Sequence, residues 1–208
     1  MPKRINLDDA YAIKTPEDAR ALYRDWAESY DHDFAQSNDY KVPRRVAELF
    51  AEHAVERDSP VLDVGAGTGL VGAQLAALGL GDVHAIDISP EMLAVAMRRG
   101  CYAHMIEADL TAPLPLPDDA FGGVISAGTF THGHVGPEAL HELVRVARAG
   151  ALFVLAINAA VFDSAGFGAK LACLPTTGLT LHDEPIYGPG ADPAHRGDIV
   201  RIAAFRSA

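Results

Sequence analysis

Residues 61–69 constrain this chain more than any other stretch. Val61-Leu62-Asp63-Val64 is a short apolar run that passes directly into Gly65-Ala66-Gly67-Thr68-Gly69. An apolar run of that length bounded by glycines reads as a buried strand, and the apolar 70–80 stretch, closed by glycines, reads as a helix. Glycines at such a junction let the backbone turn sharply and come close to a ligand. The amides at the start of the helix then face whatever is bound.

The same rhythm repeats downstream. Val83-His84-Ala85-Ile86 ends at Asp87, Ser89-Pro90-Glu91 caps a helix running to Gly100, and 103–107 makes a third strand ending at Ala108-Asp109-Leu110. Pro113, Pro115 and Pro117 stiffen an extended loop. A fourth strand over 121–127, a helix over 137–147 and a fifth strand over 151–157 follow. Short, continuously apolar strands alternating with helices predict a parallel sheet covered on both faces. The tail differs. A short helix over 166–174 precedes strands over 179–187 and 199–206, which predicts a hairpin closing the sheet edge antiparallel.

Ahead of the sheet, Thr15-Pro16-Glu17-Asp18 carries a helix cap and a capping box. Ala19, Leu22, Tyr23, Trp26 and Tyr30 recur at helical spacing behind it. The polar 31–40 stretch reads as a loop, and a second helix begins near Pro43 with Val46, Leu49 and Phe50 on one face. The expected organisation is one domain: a helical lid over 1–58, a ligand-binding core over 59–158, and a helix with a hairpin over 159–208.

The formal net charge is −11 over 208 residues. That sign argues against tracking nucleic-acid phosphates or anionic membranes and favours a small, neutral or basic ligand, although ordinary solubility chemistry gives the same balance. The opening MPKRINLDDAYAIK has no apolar leader core, and no apolar run reaches membrane-spanning length, so the expected location is cytoplasmic. Cys101 and Cys173 have no metal or redox spacing and read as reduced core thiols.

The loop itself discriminates between ligands. A dinucleotide fingerprint places its third glycine three residues after the second, where this chain has Leu70. A phosphate-cradling Gly-Lys-Ser/Thr is absent. Asp63, just before the loop, would repel phosphates and suit an ammonium group. Asp87, twenty residues after Gly67, is placed to accept hydrogen bonds from ribose hydroxyls. Asp109 is placed to accept from an adenine amino group, with Ile88, Met92 and Leu110 around the ring. An NAD(P)-dependent oxidoreductase remains the rival reading, but it would need the glycine at position 70.

These segments resemble the class I S-adenosylmethionine-dependent methyltransferases: VLDVGAGTGL matches their first motif, AIDISPEML their acidic second-strand motif, EADL their adenine-side motif and LPLPDDAFGGVIS their fourth-strand region. The resemblance covers about residues 60–158. It implies an α/β, Rossmann-like doubly wound seven-stranded sheet, mostly parallel with an antiparallel C-terminal strand, under an N-terminal helical lid. It also implies S-adenosylmethionine as cofactor and S-adenosylhomocysteine as product. The residues expected to hold the cofactor are Tyr30, Asp63, Gly65, Ala66, Gly67, Thr68, Gly69, Leu70, Asp87, Ile88, Met92, Asp109, Leu110 and Ser126. A looser likeness, carried by YDHDF, SAGTFTHGHV and GFGAKL before a hairpin, points to the small methyltransferase-like proteins named after the Williams–Beuren syndrome region and brings no defined substrate.

Methyl transfer from a sulfonium is an in-line displacement, so the protein mainly positions donor and acceptor. Some acceptors also need a base. The expected acceptor wall is 126–134, beyond a strand end, where His132 and His134 are the candidate catalytic groups; both read equally as loop residues or as a helix cap. A His-x-His metal site lacks a third ligand, so no metal is expected. Tyr23 and Trp26 read as core packing, whereas Tyr30 is placed to meet the methionine carboxylate or the acceptor. Arg44 and Arg45 suit an acidic substrate or a solvated helix face. A small-molecule acceptor is expected, and an S-adenosylmethionine-binding protein without transfer activity is the second alternative.

Overall fold

The computed structural model describes residues 5–208, so the first four residues of the opening stretch lie outside the described residues. Seven strands form one sheet in the order β3-β2-β1-β4-β5-β7-β6. Strands β1 (Val61–Val64), β2 (Val83–Asp87), β3 (His104–Glu107), β4 (Phe121–Phe130) and β5 (Ala147–Asn158) run parallel. Strand β7 (Ile199–Ser207) inserts antiparallel between β5 and β6 (Thr176–Pro185). The hairpin read from the tail is present, and its second strand, not its first, joins the parallel strands.

Alternation along the central strands feeds two cores. On β5, Leu152, Val154 and Ala156 face one side with Trp26, Val46 and Phe50, while Phe153, Leu155 and Ile157 face the other with Leu140, Leu143 and Phe167. Helices α2 (Pro16–Trp26), α3 (Val42–His53) and α4 (Leu70–Ala77) supply the first layer. Helices α6 (Ala139–Val146) and α8 (Phe167–Cys173) supply the second. The expected cap of α2 is formed: the Thr15 hydroxyl accepts from the Asp18 amide, and the Asp18 carboxylate accepts from the Thr15 amide.

Three expectations change. The 31–40 stretch is not a loop: residues Asp31–Gln36 form a π-helical turn that buries Phe34, and Tyr40 then bridges antiparallel to Tyr187. Polar composition concealed this because one buried aromatic ring is enough to fix so short a segment. Strand β4 continues past 127 to Phe130, re-pairing with Ile157 after an irregularity in its register. The cysteines are not core thiols; Cys173 is exposed at the end of α8 and Cys101 is half-buried. Two short helices, α1 (Leu7–Tyr11) and α7 (Ala159–Phe162), also had no periodic signal long enough to read. Helix α5 (Pro90–Met97) starts at the expected Ser89 cap, whose hydroxyl accepts from the Met92 amide.

Candidate functional site

Sheet order reverses direction between β1 and β4, which leaves a crevice beyond the C-terminal ends of those strands, the usual ligand position in open α/β sheets. A cleft of about 770 Å³, its open mouth included, occupies that place. The glycine loop floors it through Gly65 and Gly67. Asp87, Ile88 and Met92 border it from the end of β2 and the start of α5, and Asp109 and Leu110 from the end of β3. The N-terminal segment borders it with Ile13, Thr15, Pro16, Ala19, Tyr23 and Tyr30.

Close approach dictates the loop glycines. At Gly65, with φ +66°, an added Cβ would lie 2.0 Å from Thr129 Oγ1, and that hydroxyl is fixed by donating to the Val64 carbonyl at 2.9 Å. At Gly67, φ is +53° and nothing lies within 4 Å of an added Cβ, because that space is the cleft. The amides of Gly65 and Ala66 donate back to the Ile86 carbonyl, at 2.8 and 3.0 Å. These two bonds tie the loop to the end of β2.

Asp87 is nearly buried, and its carboxylate accepts from the Gly67 amide at 2.8 Å and the Ser89 amide at 2.9 Å. Burial pushes its pKa up while those amides pull it down. Asp109 accepts from the amide and hydroxyl of Thr111, at 2.8 and 2.6 Å, and its other oxygen lies 3.5 Å from the Arg20 guanidinium on the lid helix.

Other predicted residues serve the scaffold. Asp63 is fully buried and does not line the cleft; its Oδ2 accepts from the Tyr102 hydroxyl at 2.6 Å, and Tyr102 Oη in turn accepts from the Gly72 amide at 3.0 Å. It is therefore not a partner for a ligand ammonium group in this conformation. Its Oδ1 has no partner among the described residues, and burial pushes its pKa up to about 7. Ser126 donates to the Val64 carbonyl at 2.7 Å, tying β4 to β1. The Thr68 hydroxyl donates to Asp31 at 2.6 Å, and Arg99 joins both by donating to the Thr68 carbonyl and pairing with Asp31. This cluster pins the π-helical turn to the glycine loop. Ala66, Gly69 and Leu70 turn the chain into α4 without lining the cleft.

The two histidines separate. His132 does not line the cleft; its ring packs on Tyr11 at 4.8 Å between centroids. His134 does line it. His134 Nδ1 lies 2.7 Å from the His132 carbonyl, which can only accept, so Nδ1 carries the hydrogen. In the neutral ring Nε2 is then an acceptor, and the Tyr23 hydroxyl stands 2.7 Å from it. Burial holds the His134 pKa below the ordinary histidine value. Tyr23 is thus a site residue and not core packing alone. Helical spacing could not reveal this, because its partner is 111 positions away. Arg44 and Arg45 face solvent, with Arg45 bonded to Glu184 at 2.9 Å and Arg44 3.7 Å from Glu48.

Among the described residues, no lysine or arginine lines the cleft, while two carboxylates do. That donor set suits hydroxyls, amines and cations, and gives a pyrophosphate no counter-charge. Ile88, Met92 and Leu110 offer apolar surface for a flat ring.

Comparison with known proteins agrees with this geometry. The family described as methyltransferase domain matches residues 62–155. The human methyltransferase-like protein 27 is 35% identical over 155 residues, covering 73% of this chain; the chain spans 62% of the length of that relative. Among solved structures, a TehB-like SAM-dependent methyltransferase from Corynebacterium glutamicum superposes with a TM-score of 0.60 at 21% identity, covering 90% of this chain and 99% of the other. A SAM-dependent methyltransferase from Aquifex aeolicus gives 0.58 at 19% identity, covering 89% and 97%. At such identities the structural likenesses carry the fold. No helix among the described residues is long and apolar enough to cross a membrane.

Proposed function

The chain belongs to the class I S-adenosylmethionine-dependent methyltransferases, whose cofactor is S-adenosylmethionine, and from that premise we propose that it transfers a methyl group to a small-molecule nucleophile in the lidded cleft. One observation carries the reading: a cleft at the topological switch point is floored by a glycine loop, bordered by Asp87 and Asp109, and, among the described residues, lined by no lysine or arginine. The residues present fit the cofactor, since the open space above Gly67 admits a ligand against the backbone. Asp87 would hold the ribose hydroxyls, Asp109 the adenine amino group, and Ile88, Met92 and Leu110 the faces of the ring. Tyr30, from the lid, would meet the methionine end.

When bound, S-adenosylmethionine supplies an electrophilic methyl group on a sulfonium. The lid excludes water and orients the acceptor against it. The Tyr23–His134 pair is the proton acceptor for nucleophiles that must lose a proton. Tyr23 Oη takes the proton as its own passes to His134 Nε2, whose lone pair is free because the ring hydrogen is on Nδ1. The acidic net charge and the absence of lysine and arginine from the cleft among the described residues support a small neutral or basic acceptor over nucleic acid, in a cytoplasmic setting.

Calorimetric titration of S-adenosylmethionine and S-adenosylhomocysteine into the wild type and Asp87→Ala, with NADH as control, tests the reading. Both sulfur compounds bind saturably, and the substitution weakens them at least about tenfold, the loss of roughly one charge-assisted hydrogen bond. Binding of NADH in place of either sulfur compound overturns it.

A further inference from the structure

A second cavity opens behind the first. It encloses about 540 Å³, mouth included, and shares Tyr23, Tyr30, Gly128 and His134 with the cofactor cleft. Five of the chain's six tyrosines line it, Tyr11, Tyr23, Tyr30, Tyr40 and Tyr187, together with its single tryptophan, Trp26. The rings form a continuous arc. Centroids are 6.4 Å apart for Tyr23–Trp26, 5.0 Å for Trp26–Tyr30, 4.9 Å for Tyr30–Phe34, 5.2 Å for Phe34–Tyr40 and 5.9 Å for Tyr40–Tyr187.

Charge decides what such a cavity takes. Among the described residues, no Lys, Arg, Asp or Glu lines it. An anionic acceptor would lose its hydration and find no counter-ion. A cation would find the negative faces of several rings, an attraction that strengthens when water is excluded. Negative charge stands beside it: Asp198 lies 3.4 Å from the Tyr11 hydroxyl, and Asp87 borders the adjoining cleft.

An independent feature is an unused donor. Trp26 is only 2% exposed, and its indole N–H has no acceptor among the described residues. A buried tryptophan ordinarily finds one. Trp26 itself lines the cavity, so its wall carries a donor without an acceptor among the described residues.

We propose that the acceptor is a compact amine bearing an oxygen acceptor, held with its nitrogen in the ring-lined cavity and methylated there to a more substituted ammonium. The inference rests on the methyltransferase reading and names the substrate class of the same site. The acceptor nitrogen's lone pair forms the new N–C bond as the methyl–sulfur bond breaks. The electron pair of that bond stays on sulfur, which becomes a neutral thioether, and the positive charge passes to nitrogen among the rings. An amine that enters protonated first gives its proton to the Tyr23–His134 pair.

Trp26 is the only tryptophan, so its fluorescence reports the cavity directly. The full chain, saturated with S-adenosylhomocysteine, is titrated with choline, with its neutral carbon isostere 3,3-dimethylbutan-1-ol, and with benzoate. Choline is expected to change the Trp26 emission saturably and to bind at least about tenfold more tightly than the isostere, with benzoate weaker still. Tyr40→Leu is expected to weaken choline several-fold, and Tyr40→Phe, which keeps the ring, to retain it. Equal binding of choline and the isostere, preference for benzoate, or no response to choline overturns the proposal. Calorimetric binding of S-adenosylhomocysteine, measured on the same sample, separates the two layers. If it binds and choline fails, the amine inference falls alone; if it does not bind, the methyltransferase reading falls and takes the inference with it.

Discussion

Asp63→Asn examines the least expected placement in the structure. The carboxyl is fully buried, with Oδ2 2.6 Å from the Tyr102 hydroxyl and Oδ1 without a partner among the described residues. Burial pushes its pKa up to about 7, with Asp87 adding to the rise and Tyr102 opposing it. In the unfolded chain the same group titrates near ~3.9. Between those values the folded chain holds a proton that the unfolded chain has released, so stability falls as pH rises from about 4 to about 7 and levels off above. At about 1.4 kcal/mol per unit, the interval from pH 5 to pH 7 amounts to about 3 kcal/mol. Asparagine keeps an acceptor for Tyr102 but sets an amide where Oδ1 had no partner, which costs about 1–3 kcal/mol at every pH. The variant is therefore less stable than wild type at pH 5 and about equal to it, or more stable, at pH 8. Urea denaturation of both proteins at pH 5, 6, 7 and 8 measures the difference, and the titrating groups not coupled to Asp63 cancel. A difference that stays constant across that range refutes the burial argument for this carboxyl.

Gly65→Ala sets a Cβ 2.0 Å from Thr129 Oγ1 at a left-handed φ, and is expected to lower the melting temperature and weaken S-adenosylhomocysteine at least about tenfold by calorimetry. Arg206→Ala removes the two guanidinium bonds, 2.8 and 3.0 Å, that hold Asp58, which is only 2% exposed; the stranded charge destabilises the fold by about 3–5 kcal/mol in chemical denaturation. His134, whose pKa burial lowers, stays neutral on acidification past the point where an ordinary histidine charges. Below an unfolded value near ~6.5 the unfolded chain binds that proton first, so its contribution to stability is lost as pH falls. Histidine ring NMR checks this, and a normal titration midpoint for His134 would contradict it.

Much of the fold was legible because it is written in short-range periods. Apolar runs ending at Asp63, Asp87 and Asp109, a capping box at Thr15–Asp18, and glycines at 65, 67 and 69 each act within a few residues of chain, and each element formed where it was read. The spacing of the glycines and strand-end carboxylates was enough to select the cofactor class, because a strand, turn and helix fix where such groups stand relative to one another. The π-helical turn over Asp31–Gln36 escaped, since its anchors, Thr68 and Arg99, come from elements far along the chain.

What the sequence determined by itself was therefore the layered sheet, its glycine loop and the carboxylates Asp87 and Asp109 at the strand ends. The tertiary structure alone decided which side of the sheet a side chain serves. It turned Asp63 away to Tyr102, sent Ser126 to the Val64 carbonyl, and split His134 from His132. It also joined Tyr23 to His134 and closed Tyr11, Tyr40 and Tyr187 into one cavity. The physical reason is range: periodicity and capping are set by contacts three or four residues apart, whereas a pocket is set by packing among segments more than a hundred residues apart, whose mutual placement no local pattern carries.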